Sequence, residues 1–148
     1  MAASRFDACH EALKDLSADA VCARLGLQPL DGGGHFDDSE DGRLILLGVG
    51  DILPWQKWTT DVEAVFYAGA PLALSLSPDG HSGEAVHLGT VLPHHRAQAP
   101  VAANHWMTAE SLGIWSLMCL NGIDPKQVSE LAPPDWYPTP KPSTHGAA

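Results

Sequence analysis

Residues 50–69 read GDILPWQKWTTDVEAVFYAG. A glycine stands at each end, and the residues between them include Trp55, Trp58, Val62 and the run AVFYAG, which suit an extended chain. Gln56, Trp58, Val62 and Glu63 fall at intervals that fit three readings: a metal site, a metal site whose ligands have been replaced, or the apolar side of a hairpin. The rest of the chain has to decide between them.

From about residue 43 onward the same texture recurs. RLILLGV, AVFYAG, PLALSLS, EAVHLGTVL, APVAAN and IWSLMCL are short runs of aliphatic and aromatic residues. They are separated by turn signals such as GDILP, AGAP, SPDGHSG, SLG and NGIDP. The PDG of residues 78–80 is a hairpin signal, with Pro78 and Gly80 suited to a tight reversal. Strands and helices do not alternate, so the expectation is an all-β sandwich or barrel.

Upstream, residues 4–16 can form a helix with Phe6, Cys9, Leu13 and Leu16 along one side. Ser17 then caps a second short helix, ADAVCARL, which Gly26 ends. The glycines of DGGGHF favour a turn, and the run lacks the spacing of a phosphate loop. DDSED, residues 37–41, reads as a solvated loop, because the order of a calcium-binding loop is absent. The closing APPDWYPTPKPSTHGAA carries five prolines. These features divide the chain into a helical extension (1–16), one domain (17–137) and a Pro-rich disordered tail (138–148), with Trp136 and Tyr137 docking before the tail departs.

At 148 residues, with 45% apolar side chains, the chain can bury a core as one domain. Eight Lys and Arg against 18 Asp and Glu leave a net charge of −10. Such a surface repels phosphate backbones and anionic lipid, which disfavours nucleic acid and membrane as partners. No apolar run is long enough to span a bilayer, and the start of the chain lacks the pattern of a secretory signal. Cys9, Cys22 and Cys119 are scattered and odd in number, which suits a reducing compartment, and the expected location is cytoplasmic.

Four segments in order, ARLGLQPLDGGGHF (23–36), FYAGAPLALSLSPDG (66–80), AQAPVAANHWMTAESLGIWSLMCL (97–120) and SELAPPDW (129–136), resemble the cupin-5 family of small single-domain cupins. The resemblance spans roughly residues 17–136. It implies a double-stranded β-helix, or jelly roll, with a pocket inside the barrel and pairing into homodimers. In the family a Glu often precedes the glycine pair and an aromatic follows it; Gly32 and His35 stand there in this chain.

The resemblance also implies a comparison with the metal motif of cupins: Gly, five residues, His-x-His, three or four residues, Glu, six residues, Gly. In this chain Gly50 and Gly69 hold the frame, while Gln56, Trp58 and Val62 stand at the ligand positions. The position of the last ligand falls nearest Met107. A divalent ion needs three or four lone-pair donors, and Trp and Val offer none. The expectation is therefore no metal and no cofactor.

Gln56, Trp58, Val62, Tyr67, Trp106 and Met107 become candidates for an apolar, Trp-lined ligand pocket. Without a metal, acid–base catalysis would fall to His105, Glu63 and His35, since imidazole titrates near neutral pH. The leading reading is a metal-free cupin binding a small organic ligand. The alternatives are a metal-independent isomerase, epimerase or lyase, and a non-catalytic structural or regulatory dimer.

Overall fold

The computed structural model describes residues 13, 15–30, 34–39, 42–80, 82–90, 95–123, 130–131 and 139–140. The chain enters through helix α1 (Ala18–Leu25). The Ser17 side chain accepts a hydrogen bond from the Ala20 amide, and Gly26 closes the helix with its amide on the Cys22 carbonyl. Of the helix expected over residues 4–16, Leu13 and Leu16 lie among the described residues, and the Leu16 amide donates to the Leu13 carbonyl.

Twelve strands follow among the described residues: β1 (Gln28–Pro29), β2 (His35–Ser39), β3 (Gly42–Gly48), β4 (Gln56–Lys57), β5 (Val62–Gly69), β6 (Leu72–Ser77), β7 (Ser82–Leu88), β8 (Gln98–Val101), β9 (Trp106–Ser111), β10 (Trp115–Asn121), β11 (Glu130–Leu131) and β12 (Thr139–Pro140). They form two sheets, ordered β1-β2-β3-β10-β5-β8 and β11-β4-β9-β6-β7-β12. From β3 to β10 the chain passes repeatedly between the sheets, and only the β6–β7 hairpin keeps consecutive strands together. This is the jelly roll expected from the sequence.

The first sheet is covered on both faces. Ile45 and Leu47 of β3, with Met118 and Leu120 of β10, point between the sheets. Leu46, Leu117 and Trp115 point outward against Leu13 and Val21 of the helical layer. The Trp115 indole N–H ties the two layers together by donating to the Leu16 carbonyl at 2.8 Å. Burial on both faces explains why RLILL and WSLMCL read as continuous apolar runs rather than alternating ones.

Besides the two-residue strands, two longer ones escaped the sequence pattern. β2 carries HFDDS, so Asp37 and Asp38 lie on a strand and not in the expected solvated loop. Asp38 there holds the Arg43 guanidinium at 2.7 and 3.1 Å, while Glu40 and Asp41 lie outside the described residues. β9 crosses the middle of the second sheet, where Thr108 is buried and donates to the Leu53 carbonyl. In the closing segment Thr139–Pro140 pair in parallel with Ser82–Gly83; Trp136, Tyr137 and residues 141–148, with the tail expected there, are outside the described residues. No helix of the described residues is long and apolar enough to cross a membrane.

Candidate functional site

The two glycines of the opening stretch owe their place to the backbone. Gly50 has φ 82° and Gly69 has φ 92°, in the left-handed region that favours glycine. Gly69 also lies so close to Trp115 that a Cβ would sit 2.5 Å from its carbonyl oxygen. The frame of the metal motif is thus held by folding requirements that have nothing to do with a metal.

The positions between those glycines come together in space. β4 pairs with β9 so that Gln56 faces Met107, and Trp58, Val62 and Met107 belong to one apolar cluster with Phe66, Leu74 and Met118. Relative exposure is 0% for Met107 and 3% for both Trp58 and Val62. These three side chains pack together as core. Gln56, also buried, turns its amide back to the Pro54 carbonyl at 3.1 Å. The Trp58 indole N–H is buried and meets no acceptor among the described residues.

A metal does not fit here. Indole, isopropyl and thioether groups replace the imidazoles and carboxylate, leaving one neutral amide that is already engaged. Among the described residues, no group of three or more His, Cys, Asp or Glu side chains could hold an ion.

Two candidate pocket residues face away from the interior. Alternation along β9 turns Met107 inward and therefore Trp106 outward, where its ring lies 5.1 Å from the Lys57 ammonium. Tyr67 is the extra residue of a β-bulge: Leu117 pairs with Ala68 and Met118 with Phe66, so Tyr67 packs in the outer cluster.

Among the described residues, no single cleft is lined by all three candidate acid–base residues. His35 pairs with Leu46, which sets it on the outer face of the first sheet, with its Nδ1 buried and without a partner among the described residues. Glu63 lines an open cleft with Asp61, Pro100 and Asn121. His105 stands in a different one, of about 330 Å³, at the end of the barrel between the β6–β7 and β8–β9 turns.

Both turns around the His105 cleft are pinned. On one side the Ser77 hydroxyl donates to the Ser82 carbonyl at 2.6 Å and accepts from the Gly80 amide at 2.9 Å. Asp79 accepts from the Ser82 amide at 3.0 Å. On the other side Asn104, with φ 65°, donates its amide to the Trp58 carbonyl at 2.7 Å. The neighbouring Ala103 amide donates to Asp61 at 2.8 Å, and His105 closes the turn on the Ala102 carbonyl. The cleft between them is lined by Leu76, Pro78, Pro100 and Ala102, with Ser82, Glu84 and His105 as its polar groups. Sequence reasoning found His105 and missed Glu84, which lies on a strand with no motif around it. Only the hairpin register, pairing Glu84 with Leu76, could have suggested it.

Two facing sheets with this order of crossings, enclosing a packed core, define a cupin-type jelly roll. The model of the Cupin_5 family, described as cupin superfamily (DUF985), matches residues 42–121, and the chain belongs to that family. Among solved structures, a protein from Shewanella oneidensis is similar at 23% identity and TM-score 0.68, covering 79% of this chain and 85% of its own. A hypothetical protein from Leishmania major is similar at 16% identity and TM-score 0.65, covering 74% and 84%. These likenesses establish the fold alone. No curated protein matches the sequence.

Proposed function

We propose that this cupin works without a metal and binds a small organic ligand at the mouth of the barrel, in the cleft of His105, Glu84 and Ser82. The observation that carries this reading is the contrast between two places in one fold. The positions where cupins hold a metal are packed as core, whereas the rim between two pinned turns leaves a concave space of about 330 Å³ with polar groups on apolar walls. That volume is at the small end of the range typical of ligand sites, roughly 300–1,000 Å³. The lining suits a molecule with an apolar body and a hydrogen-bond donor directed at the Glu84 carboxylate.

A second reading, acid–base catalysis by the same pair, draws on the presence of His105 and Glu84 in one cleft. It takes Glu84 where the sequence suggested Glu63 and His35, which do not line this cleft.

Screening a fragment library against 15N-labelled protein tests the proposal. Binding fragments should shift the amides of Ser82, Glu84, Ala102 and His105, and His105→Ala with Glu84→Gln should weaken the best of them by about tenfold, the loss of one or two polar contacts. Fragment shifts centred on Trp58 and Met107 would refute it.

A further inference from the structure

At the opposite end of the domain from the His105 cleft, two loops lie side by side. Gly48 pairs with Trp115, so the next residues in register are Val49 and Ile114, and Ile52 bridges to Glu110. Among the described residues the exposed large apolar side chains are Val49 (75%), Ile52 (40%), Leu112 (50%) and Ile114 (73%), and all four belong to these two loops. Scattered singly such residues need no explanation, but gathered at one end they form a patch of the kind that marks an interaction site. A cleft of about 500 Å³ adjoins it, lined by Ile114, Trp115, Leu16 and Ala70.

Among the described residues, the charged side chains around the patch are acidic. Asp15 lines the cleft, Asp51 and Glu110 flank the loops, and Asp19 lies in the first turn of α1. Burial, and then the charges of Asp19 and Asp51, push the Cys22 thiol up. The described cations, Arg24, Arg43, Lys57 and Arg96, all lie outside these loops, Arg24 in the last turn of α1 and Arg43 bound to Asp38.

We infer that this end of the barrel is a docking surface for an amphipathic protein segment whose apolar residues are flanked by Lys or Arg. Its apolar side chains would cover Val49, Ile52, Leu112 and Ile114, with one inserted into the cleft beside Trp115, and its cations would meet the acidic rim. A second copy of this chain suits the surface poorly. Pairing the patch with itself brings one acidic rim against another, in a chain that already carries a net charge of −10.

The test uses a fluorescein-labelled amphipathic helical peptide of leucine and lysine, with a leucine–glutamate peptide of the same pattern as its counterpart. Fluorescence anisotropy should show the Leu–Lys peptide binding the full chain, weakening as salt rises. Leu112→Ser with Ile114→Ser should weaken it about tenfold or more, and Glu110→Gln with Asp19→Asn by several-fold. Glu63→Gln, which removes one acid at the far end of β5, should leave binding within about twofold, separating a local site from general attraction to an acidic protein. Equal binding of the Leu–Glu peptide would overturn the inference. So would unchanged binding in the Leu112→Ser, Ile114→Ser variant with its melting temperature preserved, or sedimentation showing that these two substitutions dissolve a dimer of this chain.

Discussion

Replacing Trp58 by alanine should lower the free energy of unfolding by about 3–5 kcal/mol, read as a shift of the urea midpoint at constant slope. Trp58 is 3% exposed and packs in the central cluster with Val62 and Met107. Deleting it removes both the transfer free energy of a large ring and the contacts of every side chain around the hole. Trp58→Phe should cost less than about 1.5 kcal/mol, because most of the bulk stays and the lost N–H had no acceptor among the described residues. The gap between the two variants is the informative quantity. If Trp58 walled an open ligand cavity, alanine would cost little stability and the effect would appear in binding instead.

Gly69→Ala should destabilise the protein by about 2–5 kcal/mol, from two penalties that add. Its φ of 92° is unfavourable for any residue with a Cβ, at roughly 1–2 kcal/mol. The new methyl would also sit 2.5 Å from the Trp115 carbonyl oxygen and 2.6 Å from its ring, where relieving the overlap costs about 1–3 kcal/mol more. Gly50→Ala is the matched control, because Gly50 has φ 82° and nothing within 4 Å of the new methyl. It should pay only the backbone penalty, about 1–2 kcal/mol. Equal losses at the two positions would mean that Trp115 yields to the methyl, and that the outer layer beneath the helix is softer than described.

These two glycines also show how much of the fold the sequence carried. The hairpin signal at Pro78–Gly80 and the apolar runs of β3, β5, β6 and β10 mark an all-β sandwich or barrel, because each reflects a local demand on backbone or burial. The family resemblance, with the interval from Gly50 to Gly69, narrows it to a jelly roll. β2 and β9 were illegible for the opposite reason. HFDDS and WMTAES have few strand formers and are held extended by the strands beside them, β3 for the first, β4 and β6 for the second.

The site was legible in a narrower sense. Sequence identified the ligand positions and the chemistry missing from them, but not that Trp58, Val62 and Met107 fill the space. Strand alternation within one segment could have turned Trp106 away from Met107. Nothing local could have displaced Tyr67, whose direction depends on a bulge opposite Leu117 and Met118. Glu84 came into view only through the cleft that the two end turns enclose.

The barrel is packed shut where cupins hold a metal. Hydrogen exchange of the Trp58 indole N–H, its resonance assigned by its loss in Trp58→Phe, is the decisive measurement. A sealed core predicts exchange as slow as that of the most protected backbone amides, requiring global unfolding. Exchange within the dead time of mixing, as at an exposed indole, would instead show an interior open to water.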